Sequence, residues 1–341
     1  MRRWKNRPEG SNWGEFGEDD QKGRINLITP DIRLKAAAQI KHGLSFCLSL
    51  PLDYPGGNAL IKARQQPRLF TVRREGGQVN YNFPWRALTC QHDHLDVTCD
   101  DAVTLFTQYS TQWDALSHYG QFFDADGDGE AEKVYYNGFR AEEHIISPAE
   151  GSDEPRAKAL GIQNLAETCA QGRGTMVNLH AVYGRDRVAV GYDDLMRIMD
   201  QQNVTVEKGD FLCFYTGFDD VLLGMHKEPD PKLLHAVCCG LDGGDEKLQQ
   251  WISNSGVVAL IADNTAVELL PSARRGRGPR PLLPLHAHCL FKQGIHLGEL
   301  WYLKDLADWL MANKRSHFFL TAPPLRLPGS VGSPLTPVAT V

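Results

Sequence analysis

Apolar positions along the chain fall into short continuous runs separated by segments of helical spacing. LSFCLSLPL, from Leu44 to Leu52, reads as a strand closed by prolines. Further strand-like runs lie at Ala102 to Tyr109, Thr175 to Val182, Asp210 to Tyr215 and Val257 to Ala262. DIRLKAAAQIKHG carries a helical pattern, with Asp31 placed to cap its start and Gly43 to end it. Similar patterns at Tyr192 to Gln202, Glu246 to Ser253 and Leu300 to Ala312 alternate with the strands, which indicates an α/β architecture. Gly57 to Gln78, rich in glycine and basic residues, is expected as a surface excursion without a legible role. The Pro/Gly-rich tail from Pro323 to Val341 is expected to pack as irregular structure. With no internal repeat and only short linkers, residues 1–341 read as one domain.

Composition narrows the class. At 42% hydrophobic and 23% charged residues, the 341-residue chain lies in the globular range and is long enough to bury a large core. Its 36 basic and 42 acidic side chains give a formal charge of -6, so no broad positive field is available for a nucleic-acid backbone. The longest apolar stretch, Gly256 to Ala262, is strand length and far short of a membrane span. The basic start, MRRWKNRPEG, is followed by no apolar segment of signal-peptide type, so a cytoplasmic location is expected. Eight scattered cysteines show neither C-x-x-C spacing nor a disulfide framework, and most are expected as buried thiols.

Three polar clusters imitate functional motifs. Asp124, Asp126 and Asp128 before Gly129 resemble the opening of a calcium loop, but the twelfth position, which should hold a bidentate glutamate, is Tyr135. A solvated acidic turn is the plainer expectation. His92, Asp93, His94 and Asp96 are possible metal ligands without a companion motif. RRGRGPRP, Arg274 to Pro281, lacks the strand-loop-helix signature of a phosphate cradle and reads as a solvated loop or lid.

The segment QYSTQWDALSH, Gln108 to His118, follows a strand-like run and is therefore placed to line a pocket. Asp114 and His118 stand four apart, so a helix would put them on one face, where a carboxylate can orient an imidazole or share an ion with it. An Asp–His pair serves equally well as a structural hydrogen bond.

This segment is similar to the metal motif of the cyclase family, which includes kynurenine formamidases and isatin hydrolases. It matches most nearly the Q-x-x-T-Q-W-D-x-x-x-H form of the family's larger members. Ordered blocks extend the resemblance over nearly the whole chain: Ser11 to Thr29, SLPLD at Ser49, YNG at Tyr136, GRGTMVNL at Gly172, GDFLCFYTGF at Gly209, ADNTAVELLP at Ala262 and PLRLPGSVGSP at Pro324. The resemblance implies a mixed, barrel-like sheet surrounded by helices and a homo-oligomer, with a dimer the expected form. It also implies an enzyme acting on a small cyclic or aromatic amide, formamide, lactam or lactone with manganese or zinc.

Carried over by position, the family's first ligand set falls on Gln108, Gln112 and Asp114. The second falls on His286 and Glu299 in LPLHAHCLFKQGIHLGE, with His288 competing for the imidazole place, and the last motif histidine is His118. Glutamine is a weaker, uncharged ligand than histidine, so Gln108 and Gln112 are expected to bind an ion weakly or to orient substrate. Asp114, His286 and Glu299 are left to hold a divalent cation, with His118 as proton shuttle and Trp113 as an apolar substrate wall. Three alternatives stand beside this reading. Asp114 and His118 could serve a metal-independent cyclase, dehydratase or isomerase; the chain could bind a small ligand without catalysis; and Glu299 could simply favour the start of the helix that follows it.

Overall fold

FLCFY and ALIA, apolar at every position, are what a strand covered on both faces requires. In the computed structural model, which describes residues 3–150, 152, 154, 156–272 and 278–341, they become neighbouring parallel strands. Arg274, Arg275 and Arg277 of the basic loop lie outside the described residues.

The main sheet has nine strands: β1 Ser45–Cys47, β2 Gln112–Asp114, β3 Gln171–Asn178, β4 Phe211–Tyr215, β5 Ala259–Ala262, β6 His296–Glu299, β7 His317–Thr321, β8 Gly332–Pro334 and β9 Val338–Thr340. Their order is β1-β9-β7-β3-β4-β5-β6-β2-β8. The central four, β3 to β6, are parallel. Both flanks are antiparallel, β7, β9 and β1 on one side and β2 and β8 on the other. The sheet curls into a half-barrel, the mixed α/β class expected from the resemblance.

Helices cover it. α1 Pro30–Ala37 begins at Thr29, whose hydroxyl accepts from Ile32 N, with Pro30 in the first turn. The cap is therefore Thr29 rather than Asp31, and the helix stops at Ala37 rather than reaching Gly43. α2 Tyr192–Gln201 buries Leu195, Ile198 and Met199 on one face and carries Asp193 and Asp194 in its first turn. α3 Glu246–Ser255 is capped by Asp245 and ends at Gly256, whose φ of 76° is left-handed. α4 Lys304–Ala312 starts five residues after Glu299. Glu299 is the last residue of β6, so the helix-start explanation for that carboxylate does not apply.

Two further expectations are corrected. The C-terminal tail supplies β8 and β9 to the main sheet, because its Pro/Gly-rich stretches separate residues that find distant partners at β2, β1 and β7. Residues 112–114 are strand rather than helix, and His118 follows in a turn whose N–H donates to Ala115 O. No helix among the described residues is long and apolar enough to cross a membrane.

Candidate active site

The antiparallel register of β2 on β6 builds the floor of the site. Gln112 lies opposite Glu299, Trp113 opposite Gly298 and Asp114 opposite Leu297. Alternation along a strand then sends Gln112 and Asp114 to one face and Trp113 to the other. Trp113 is fully buried, donates its indole N–H to Ala322 O and meets Trp301 edge to face at 5.1 Å. It is a core residue, not a substrate wall.

The second wall comes from residues 284–293, a helical turn at Pro284–His286 that widens into π-helix over Ala287–Gln293. This turn carries His286 and His288 in different directions. Asp114, His286 and Glu299 each offer a ligand atom, and all three atoms lie within 4.8 Å of one another. His288 is not in this group: its Nε2 meets Ser253 Oγ at 3.0 Å, and it borders a separate cavity with Lys292 and Glu246. Burial pushes its imidazole down to about 3.

Hydrogen bonding divides the two glutamines. Gln112 Nε2 donates to Glu299 Oε2 at 2.8 Å, which leaves Gln112 Oε1 buried without a partner. Gln108 turns elsewhere. Its Oε1 accepts from Thr107 Oγ1 at 2.8 Å, and its Nε2 lies 3.4 Å from His118 Nδ1. Gln108 thus orients the imidazole and does not join the cation-binding group. His118 Nε2 in turn faces Asp114 Oδ1 at 3.8 Å. Burial lowers the His118 pKa, an effect opposed by Asp114 and reinforced by His286 and Arg64, so the surroundings favour the neutral imidazole.

Glu268 was not singled out by sequence reasoning. One of its oxygens sits 2.9 Å from His286 Nδ1 and also accepts the His286 backbone N–H at 3.1 Å, and both accept from Leu285 N. His286 Nε2 lies 3.3 Å from Glu299 Oε1. Burial opposes a charge on this imidazole, but hydrogen bonds to Glu268 and Glu299 more than reverse that and push it up to about 10. Burial, then the neighbouring Asp114, pushes Glu299 up. The available signal for Glu268 was its place in ADNTAVELLP, a block noted only as a landmark.

These donors fit a divalent cation. Both oxygens of Asp114 and Gln112 Oε1 are buried with no hydrogen-bond donor, and Glu299 Oε1 meets only His286 Nε2. A buried carboxylate without a donor costs roughly several kcal/mol unless a positive charge offsets it. Glu268 on Nδ1 leaves His286 Nε2 as the ligand atom, the usual arrangement of a carboxylate behind a metal-binding imidazole.

The other clusters lack this character. Asp124, Asp126 and Asp128 converge, but Asp124 accepts the N–H groups of Gly127, Asp128 and Gly129, and the other two carboxylates accept N–H groups of the same turn. His92, Asp93 and Asp96 are exposed, and His94 bonds Thr89 Oγ1.

Comparison with known proteins agrees with the geometry. Residues 47–269 match the family model described as "Putative cyclase". The crystal structure of a novel cyclase superposes with a TM-score of 0.75 at 30% identity, covering 97% of this chain and 99% of that one. Isatin hydrolase A from Labrenzia aggregata, bound to benzyl benzoate, shares the fold at 12% identity and a TM-score of 0.54, with 90% and 95% of the two chains covered. An isatin hydrolase bound to the product analogue thioisatinate does so at 11% identity and 0.53, covering 92% and 99%. No curated protein matches the sequence. The chain belongs to the cyclase family and is an enzyme of that family.

Proposed function

We propose that the protein hydrolyses a small cyclic or aromatic amide, formamide, lactam or lactone with the help of one divalent cation. The observation that carries this reading is the set of four buried oxygens around His286, three of them, on Asp114 and Gln112, without any hydrogen-bond donor. Asp114, His286 and Glu299 would hold the ion, and Gln112 Oε1 would add a neutral ligand. Three oxygen donors and one imidazole form a harder set than a histidine-rich site, which favours manganese over zinc. Such an ion supplies Lewis acidity toward a carbonyl oxygen and toward water.

The chain's own groups do the rest. His118 Nδ1, released from its 3.4 Å contact with Gln108 Nε2, takes the proton from the attacking water; once charged, with Nε2 facing Asp114, the imidazole returns the proton to the leaving nitrogen or oxygen. Gln112 fixes Glu299, and Glu268 fixes His286. The isatin hydrolases among the structures of like fold support a cyclic aromatic substrate. Exposed apolar side chains on the outlying segment, Leu69, Phe70, Leu95, Val97 and Val103, support assembly as a homodimer. All eight cysteines are free thiols, four of them buried, which supports a cytoplasmic setting.

The test is metal analysis of protein purified without chelator, with turnover of an isatin, a formanilide and an aryl lactone before and after chelation. About one ion per chain, with activity lost on chelation and restored by manganese, is the expected result. A metal-free enzyme of full activity would instead favour acid–base chemistry by Asp114 and His118 alone.

A further inference from the structure

The excursion that begins at Gly57 had no legible role in the sequence. Its root is tied down by Tyr109, whose hydroxyl donates to Gly57 O at 2.8 Å and accepts from Gly56 N at 3.1 Å. From there the chain crosses beside the site, and Leu60 and Ile61 line two adjoining cavities, of about 20 and about 140 Å3. The smaller is also lined by Arg64 and Gln108, and the larger by Glu268; Thr265 borders both.

Arg64 Nη1 donates to Gln108 O at 2.7 Å, the one hydrogen bond its side chain makes among the described residues. A guanidinium has five N–H donors in a planar fork suited to a carboxylate, so most of its capacity stays available at the cavity. The residue it touches is the one that orients His118.

We propose that Arg64 is the receptor for an anionic group of the substrate, so that the enzyme acts on a small amide or ester bearing a carboxylate. This rests on the hydrolase reading for the identity of the reaction but not for the binding itself. The fork holds the carboxylate while its backbone bond to Gln108 keeps that anchor in fixed relation to His118. Discrimination against a neutral analogue follows, because only the anion satisfies the charged donors. The competing role is that of a counter-charge for Asp114 and Glu299, which would act on ion affinity and not on ligand choice.

Calorimetric binding of 2-aminobenzoate and its neutral counterpart 2-aminobenzamide, to metal-free and to manganese-loaded protein, separates these. Wild type is expected to prefer the anion by about tenfold or more. Arg64→Met should remove that preference while leaving the amide within about twofold, and Arg64→Lys should keep part of it. Thermal unfolding of each variant checks that the segment stays folded. Failure of the wild type to prefer the anion, or an Arg64→Met variant that keeps the preference, overturns the assignment. A variant that changes manganese affinity alone makes Arg64 the counter-charge. Anion preference that depends on Arg64 in a protein that hydrolyses no amide, formamide, lactam or lactone would leave this assignment standing and defeat the hydrolase.

Discussion

Two groups of buried carboxylates lie beside the same sheet and differ in one respect. Asp263, after β5, accepts from Thr216 N, Thr216 Oγ1, Phe218 N and Asp219 N. Its neighbour Asp219 accepts from Asp220 N and from Leu303 N and Lys304 N at the start of α4. Asp114, equally buried, has no donor on either oxygen. The first pair ties β4, β5 and α4 together; burial raises both carboxylates, but every oxygen is occupied. The second group is left open at a cost that stability alone does not explain, which is what a binding site requires.

Substitutions should separate the groups. The largest effect is expected at His118→Ala, which should lower kcat by about 10³-fold while leaving metal content unchanged. Loss of metal together with activity would make His118 a ligand instead. Next comes Asp263→Ala, which strands several buried N–H donors and should cost about 3 kcal/mol in chemical denaturation without being specific to catalysis. If stability barely moves, the structural role given to that pair is wrong.

A smaller loss is expected at Glu268→Gln, roughly 10- to 100-fold in metal affinity by equilibrium dialysis, because His286 loses the carboxylate behind it. Gly243→Ala probes the same contact from the other side. A Cβ there would lie 2.1 Å from Glu268 Oε2 and 2.9 Å from Leu285 N, so the carboxylate must shift. The expected loss is about tenfold, and unchanged affinity would show that Glu268 does not position His286.

Much of the fold was legible and much of the site was not, for different reasons. The runs at 210–215 and 257–262 and the helices at 192–202 and 246–253 were readable because local pattern sets them. HLGE at 296–299 and the tail strands were not, since they exist only through pairing with residues far away in sequence. The same holds at the site. Resemblance pointed to Asp114, His286 and Glu299, which the fold brings together, but spacing could not choose between His286 and His288. That choice is made by the turn from Pro284 into the π-helical stretch. Trp113 read as a wall because its alternation with Gln112 and Asp114 is visible only once 112–114 is known to be strand. Arg64 and Glu268 lie in segments whose patterns carry no chemistry of their own.

The most direct test compares thermal unfolding of wild type and Asp114→Asn, each stripped of metal and then titrated with manganese. Without metal, the asparagine protein should lose little stability, because the carboxylate removed accepts no hydrogen bond, and manganese should stabilise only the wild type. A metal-free Asp114→Asn protein that loses stability as Asp263→Ala does, or a wild type indifferent to both manganese and zinc, would contradict the assignment of Asp114 to a cation site.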